Sequence, residues 1–454
     1  MLNFRMVRKL FASRSIEYSM RSRWKQSGWL LVVGLPAFGL ATASIRMGLA
    51  ERLGASKKIP DLREAVRLNP ANPDLHFRLG TMETYPMGGS APAEGIQQIE
   101  RAAQLSPREV LYWEGLASAC ELEGNKACAT RAMGRALLLG PMIPRLHWEA
   151  ANYYLRANRE ALALSQFKRL LEIDPGYGAA TFQICSAVTG GPKTIEREVL
   201  TPASSPKLKL AYINFLTTQG DDDFAYRVWQ SLAANRAAFN FSSADPYLEH
   251  LIARGQVQMA VAVWRDLGRL GVVKRPADEE SGNMVFNGSF ERAPLNAGFG
   301  WRYQQEPYLD TDFAAPVAFT GGRSLRVDFT VSKNEEYEPV EQLVPVEAER
   351  SYSLTAQVRT EGITSDSGPR LRVVDPVCPA CLKVASVTTT GTTPWHKITL
   401  NFSTGDKTQL VRLSVERPRS RTFPMGITGS FWLDDVSLKP AAHPTQERTL
   451  KADR

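Results

Sequence analysis

The stretch Trp113-Glu-Gly-Leu116-Ala117, followed by Ala129-Thr-Arg-Ala-Met133-Gly-Arg-Ala136-Leu-Leu-Leu139-Gly-Pro141, decides the architecture of much of this 454-residue chain. Its last six residues read A-x-x-L-x-P. The same pattern stands at Ala65-Leu68-Pro70 and Ala102-Leu105-Pro107, with a looser copy at Leu170-Ile173-Pro175. The prolines are 37, 34 and 34 residues apart. Self-similarity at a fixed period marks a stacked array of units, each touching its neighbours. Small residues let two antiparallel helices approach, large ones fill the space between units, and proline ends the second helix.

The unit ending at Pro175 repeats the set with Ala150, Ala151, Tyr154, Ala163, Phe167 and Leu170. Period and positions together resemble the tetratricopeptide repeat. The resemblance implies an all-α superhelix over residues 58–271 with a concave surface that recruits a protein partner; a plain spacer is the other reading. A second self-similarity runs from Gly220-x4-Ala225-x2-Val228-Trp229-x2-Leu232 to Gly255-x4-Ala260-x2-Val263-Trp264-x2-Leu267. It carries the array to Gly271, with residues 186–206 expected as an interrupting loop. Trp113, Trp229, Trp264 and His147 fall at core positions and are expected to pack.

Ahead of the array lies an uncharged run from Gln26 to Ile45, long enough for a bilayer core. Residues 1–26 carry seven cations and one anion, so most of the net charge of +8 sits in this tail. A basic tail, and not a basic face on a folded domain, argues against nucleic-acid binding. The expectation is a basic cytoplasmic tail (1–26) and a transmembrane signal anchor (27–46), with the bulk of the chain periplasmic or extracellular. Ala41-Thr42-Ala43 leaves a cleaved signal peptide as the rival reading.

After the polar linker 272–282 the pattern changes to short alternating segments: Ser324-Leu-Arg-Val-Asp-Phe329, Tyr352-Ser-Leu-Thr-Ala-Gln-Val358 and His396-Lys-Ile-Thr-Leu-Asn-Phe402. A period of two between turn residues reads as an antiparallel sandwich over 283–440, with 441–454 a disordered tail. The fold class is therefore multidomain: an N-terminal transmembrane helix, an all-α superhelix and a C-terminal all-β sandwich.

Six pieces in order characterise the sandwich: Asn287-Gly-Ser-Phe-Glu291, Gly300-Trp301, Gly321-Gly-Arg-Ser-Leu-Arg-Val327, Gln342-Leu-Val-Pro-Val346, Thr393-Pro-Trp-His-Lys-Ile398 and Phe431-Trp-Leu-Asp-Asp-Val-Ser-Leu438. They resemble the jelly-roll carbohydrate-binding modules of the CenC type, within the galactose-binding-like superfamily. The resemblance implies polysaccharide binding and a structural calcium, for which Glu291, Asp434 and Asp435 are the matching oxygens. Sugar stacking needs exposed aromatic faces, and Tyr303, Tyr308 and Tyr337 are the candidates. Trp301 and Trp432 fall in fold signatures, and Trp395 stands at a strand entry.

Cys378-Pro-Ala-Cys381 has strand-like flanks, so a loop-clamping disulfide is favoured over a redox dithiol or a zinc pair. Cys120 and Cys128 can pair across a helical turn; Cys185 has no evident mate. Hydrolase, zinc-protease and nucleotide-binding motifs do not occur, and the five histidines form no metal-spaced pair. Asp221-Asp-Asp223 suits a helix N-terminus. The expected function is non-catalytic: an envelope protein whose repeats hold a partner and whose sandwich holds a polysaccharide, in surface-polysaccharide or cell-wall assembly. The alternatives are an accessory subunit of a glycan-processing enzyme, or a scaffold whose sandwich binds no sugar.

Overall fold

The computed structural model describes residues 23–85, 92–200, 204–236, 238–274, 282–306, 308–423 and 425–441, without the side chains of 23–31 and 92. Most of the expected cytoplasmic tail, the middle of the 272–282 linker and nearly all of the C-terminal tail lie outside the described residues. The chain divides into two compact units between Ile173 and Asp174.

The first unit is a row of helical hairpins: α1 (Arg23–Gly54) with α2 (Ile59–Leu68), α3 (Pro73–Thr84) with α4 (Pro92–Leu105), α5 (Val110–Leu122) with α6 (Lys126–Leu139), and α7 (Pro144–Arg156) with α8 (Glu160–Ile173). The repeat signature supplies their core. Leu116, Ala117, Ala129, Met133, Ala136, Ala150 and Ala163 are buried in one cluster, against which Trp113 is partly buried. Three units also share a ring-to-carbonyl bond. The Nε2–H of His76 donates to Pro70 O (3.0 Å), Trp113 Nε1–H to Pro107 O (3.1 Å), and His147 Nε2–H to Pro141 O (3.1 Å). Each ring thus satisfies a carbonyl six residues back, at a helix end where such groups lack intrahelical partners.

Helix α1 has two features. Its segment Val32–Gly54 is apolar and long enough to cross a membrane, with mean hydropathy 1.4 and an unburied apolar window. Its last turns belong to the first hairpin. Ala50 is fully buried with Ala65 and Leu75, and Arg46 donates to Leu68 O at 3.2 Å. The array therefore starts inside α1, ahead of residue 58.

The second unit opens with α9 (Gly178–Thr189), α10 (Pro192–Glu198), α11 (Pro206–Gln219), α12 (Asp222–Ala234), α13 (Phe241–Ala253) and α14 (Val257–Arg269). The expected loop 186–206 contains α10. Pro192 starts it at a position where a missing N–H costs nothing, Ile195 is fully buried, and Tyr212 Oη donates to Pro192 O at 2.8 Å. Asp221 caps α12 by accepting from Phe224 N, and Asp222 meets His250 at 2.7 Å, so the acidic run serves the helix start.

Ten strands follow: β1 (Arg302–Tyr303), β2 (Leu309–Ala315), β3 (Ser324–Val331), β4 (Tyr337–Pro345), β5 (Ser351–Ile363), β6 (Arg370–Val374), β7 (Lys383–Ala385), β8 (Gly391–Ser403), β9 (Leu410–Arg417) and β10 (Ile427–Pro440). They form two antiparallel five-stranded sheets, in the orders β1-β4-β9-β6-β7 and β2-β3-β10-β5-β8. Alternate residues of the central strands meet in one core, including Val340, Val344, Leu354, Val358, Leu371, Leu413, Phe431 and Leu433. The signature pieces converge. Asn283 accepts from Val285 N and Leu438 N and donates to Val436 O, while Trp301 Nε1 donates to Asn287 O. Gly288 sits so close to β10 that a Cβ there would lie 2.0 Å from Val436 O, so no side chain fits.

The last helices belong to the same compact unit as the sheets. Trp229 is fully buried and donates to Asp266 at 3.1 Å. Its repeat counterpart Trp264 instead sets its ring edge-on to Phe286 (5.2 Å) and Phe299 (5.8 Å) of the sandwich. Glu249 of α13 accepts from Gly298 N (2.6 Å) and from the Arg302 guanidinium (2.7 Å). A repeat array must cover the apolar end of its last unit. Here the sandwich covers it.

Candidate functional site

The outward face of the β1-β4-β9-β6-β7 sheet carries charge where a solvated surface would not bury it. Strand alternation puts Val411, Leu413 and Val415 into the core, so Arg412, Ser414 and Glu416 point out of β9. Likewise Leu371 and Val373 turn Arg370 and Arg372 of β6 outward beside them, in register with Glu416 and Ser414. Across β9, Glu338 and Glu341 come from β4 and Glu336 from the turn before it.

These side chains form one network. Arg372 bonds Glu336 (2.8 Å), Glu416 (3.0 Å) and Glu338, and Arg370 bonds the other oxygen of Glu416 (2.6 Å). Arg412 lies 3.9 Å from Glu338 and 3.7 Å from Glu341. The Glu416 side chain is only 2% exposed and that of Arg372 9%. Burial pushes the Glu416 carboxyl up, but the Arg370 hydrogen bond and the charges of Arg370 and Arg372 outweigh it and hold the group below the usual range. The oxygens of Glu336, Glu338 and Glu416 approach within 4.8 Å of one another, a spacing that would also suit a cation. The Arg372 guanidinium stands among them and supplies the positive charge.

The network is not saturated. Arg372 Nε, Arg412 Nε and Ser414 Oγ are buried and have no hydrogen-bond partner among the described residues. Buried polar groups are ordinarily paired, and an orphan costs about 1–3 kcal/mol. A ligand rich in hydroxyl groups, each both donor and acceptor, matches a face of fixed guanidinium and carboxylate groups.

Of the three tyrosines expected to stack on sugar, Tyr303 packs inward, with its ring 5.2 Å from Phe313 and against the core. Tyr337 stands at the start of β4, at the edge of the charged face. It is also partly buried against the core, and its hydroxyl donates to Glu335 (3.3 Å). Burial, then the Glu335 charge, raises its pKa. Tyr308 is 44% exposed, next in sequence to a 360 Å³ cleft lined by Gln305, Glu306, Leu309, Asp310 and Thr311. No ring contact joins any two of the three among the described residues. Arg370, Arg372 and Glu416 were the residues missed. Their signal was polar or charged residues alternating with Leu and Val along two strands: Arg370 and Arg372 on β6, and Arg412, Ser414 and Glu416 on β9.

The expected calcium oxygens gather on the loop between β2 and β3. Asp434 accepts from Phe319 N (2.7 Å), Thr320 N (3.0 Å) and Asp435 N (2.7 Å), and Glu291 from Gly322 N (2.8 Å) and Arg323 N (3.1 Å). Gly321, at φ +67°, lies so near Glu291 that a Cβ would sit 2.1 Å from its carboxylate. Asp434 is fully buried, and burial raises its pKa despite the N–H groups of Thr320, Asp435 and Phe319. Both carboxylates are thus taken up by backbone N–H groups. Asp435 departs from the set: it is exposed, with φ +50°.

Cys378 and Cys381 are bonded in the β6–β7 hairpin loop. Asp375 fixes that loop by accepting from Val377 N (2.8 Å), Cys378 N (3.0 Å) and Thr408 Oγ (2.7 Å). Cys120 and Cys128 are bonded as well, and Cys185 is free and buried.

The chain matches no family model and no curated protein. Among solved structures it is similar to a protein described as "CBM4 structure and function" (13% identity, 35% of this chain, 99% of that chain, TM-score 0.26). It is similar also to the MamA protein (16% identity, 42% of this chain, 91% of that chain, TM-score 0.27) and to Pseudomonas aeruginosa PilF (15% identity, 51% of this chain, 90% of that chain, TM-score 0.25). Scores this low carry no argument about function.

Proposed function

We propose that this chain is a membrane-anchored, non-catalytic envelope protein. Its helical repeats recruit a protein partner, and the charged outer face of the sandwich, built on Arg370, Arg372 and Glu416, binds a polysaccharide. The observation that carries the proposal is the buried Arg372–Glu416 network, in which Arg372 Nε and Ser414 Oγ lack hydrogen-bond partners among the described residues. Burying charge without a role costs stability that apolar residues of similar volume would not cost. A bound sugar would meet the network through its more exposed members, Glu336 and Arg370. Helix α1 is the anchor, with the tail on the cytoplasmic side. The two bonded cysteine pairs suit an oxidising compartment outside the cytoplasm.

Calcium belongs to the proposal at Glu291 and Asp434, where it would supply positive charge to clamp the β2–β3 loop onto β10. The test of sugar binding is a glycan array probed with the full chain in detergent, beside Arg372→Met and Glu416→Gln variants of unchanged circular dichroism. Wild-type binding lost in both variants supports the proposal. Equal binding by all three removes this face from it.

A further inference from the structure

The opposite sheet has its own unusual outer face. Phe431 and Leu433 of β10 enter the core, so Trp432 points outward, in register with Arg326 of β3 and Arg359 of β5. The Arg359 guanidinium lies 5.2 Å from the indole centroid and covers it, leaving Trp432 6% exposed. Its Nε1–H is buried with no partner among the described residues. One strand further on, Trp395 of β8 enters the sheet where the pairing with β5 slips between Val358 and Thr360. Its ring meets that of Phe319 at 6.0 Å and 61°.

Phe319 is 44% exposed, yet its position is fixed. Its own N–H and that of Thr320 bond Asp434, and Gly322 and Arg323 bond Glu291, so the loop is pinned at both ends of its turn. A pinned loop that holds an aromatic ring in solvent lowers the ordering cost of any ligand that stacks there. Gln357 and Lys397, paired across β5 and β8, set polar groups in the next row. Stacking rings, a buried unpaired N–H and flanking amide and ammonium groups are what a pyranose ring requires.

We infer that this face is a second carbohydrate platform. A sugar ring stacks on Phe319 and Trp395, and a sugar oxygen accepts the Trp432 N–H once Arg359 swings off the indole. The inference rests on the reading of the sandwich as glycan-binding, but on different residues and the opposite sheet. With both faces occupied, one sandwich joins two glycan segments, and avidity on a polymer exceeds that of either face.

The test titrates the full chain in detergent with cellohexaose, xylohexaose and laminarihexaose by calorimetry, following stoichiometry. Two sites per chain are expected in the wild type. Phe319→Ala, Trp395→Ala and Arg372→Met should each leave one site. Trp432→Phe removes the N–H and part of the indole's volume while keeping an aromatic ring under Arg359, so it should weaken the second site without changing stoichiometry. Phe319 is exposed, so its substitution keeps the test open should Trp395→Ala fail to fold. Wild-type stoichiometry and affinity in Phe319→Ala, with all binding lost in Arg372→Met, overturns this inference and leaves the charged face standing. Binding lost in Phe319→Ala and intact in Arg372→Met does the reverse. A wild type that binds none of the three sugars overturns both.

Discussion

Trp229 and Trp264 occupy the same position in consecutive repeats, 35 residues apart, and meet different neighbours. The first is sealed by Tyr247 and Phe239 within the array, and the second by Phe286 and Phe299 of the sandwich. The sandwich thus stands where a further helix pair would. Gly298, at φ +57°, lets its backbone approach, since a Cβ there would lie 2.7 Å from Leu248 and 2.8 Å from Trp264. Helices α13 and α14 are therefore expected to unfold together with the sheets. Glu249→Ala removes the acceptor of two hydrogen bonds, one of them charged, at a cost of about 2 kcal/mol. Calorimetry should show one transition for this part of the wild type splitting into two in the variant. One unchanged transition would mean that the contact is passive.

The side-chain amide of Gln342 makes both hydrogen bonds of a strand pair with one backbone residue. It accepts from Phe286 N (3.0 Å) and donates to Phe286 O (2.8 Å), fully buried. Gln342→Leu keeps the volume and orphans both groups, for an expected loss of about 2–4 kcal/mol. Urea unfolding measures it. A loss below about 1 kcal/mol would show that water or a shifted backbone replaces the amide.

The repeats were legible because their information is local. Ala129, Met133 and Ala136 lie on one helix face, and their spacing survives without tertiary context. Strand alternation revealed the sandwich for the same reason. The site was not legible, because its parts are distant in the chain. Glu338, Arg372 and Glu416 sit on three strands and meet only through the order β4-β9-β6. Aromatic content also misled. Tyr303 looked available for stacking and packs on Phe313, whereas Phe319 in a turn gave no sign that it would be exposed beside Trp395. Residue type carries no information on burial where the pattern is irregular. The Gly190-Gly191-Pro192 run reads as part of an interrupting loop over 186–206, but it stops one helix and starts another.

His147 and Trp113 donate to the same proline carbonyl of their respective units but differ in exposure. His147 is 5% exposed and its Nδ1 also meets Gln166 at 2.8 Å, while the Trp113 bond is solvent-accessible. His147→Phe should therefore cost more, about 2 kcal/mol, against well under 1 kcal/mol for Trp113→Phe, because water can replace only the exposed donor. Thermal melts of the two variants side by side decide it. Equal losses would mean that ring packing, and not the carbonyl bond, sets the value.

Asp434 gives the pH and calcium dependence its sign. Burial, against the N–H groups of Thr320, Asp435 and Phe319, holds its folded pKa above the ordinary carboxylate value. The folded state therefore keeps a proton that the unfolded chain releases. The group's stabilising contribution is present below the unfolded pKa and is lost as pH rises through the folded one. A cation bound at neutral pH would offset that loss by pairing with the ionised form. Calcium should accordingly raise the melting temperature of the wild type at pH 7, and less so at acidic pH where Asp434 is protonated. Asp434→Asn should lose both the pH slope and the calcium response, and should also be less stable, since its amide nitrogen cannot accept the bonds that the carboxylate accepts. Wild-type melting indifferent to calcium and chelator, with the pH slope intact, would leave the four N–H groups of Phe319, Thr320, Gly322 and Arg323 to clamp the β2–β3 loop.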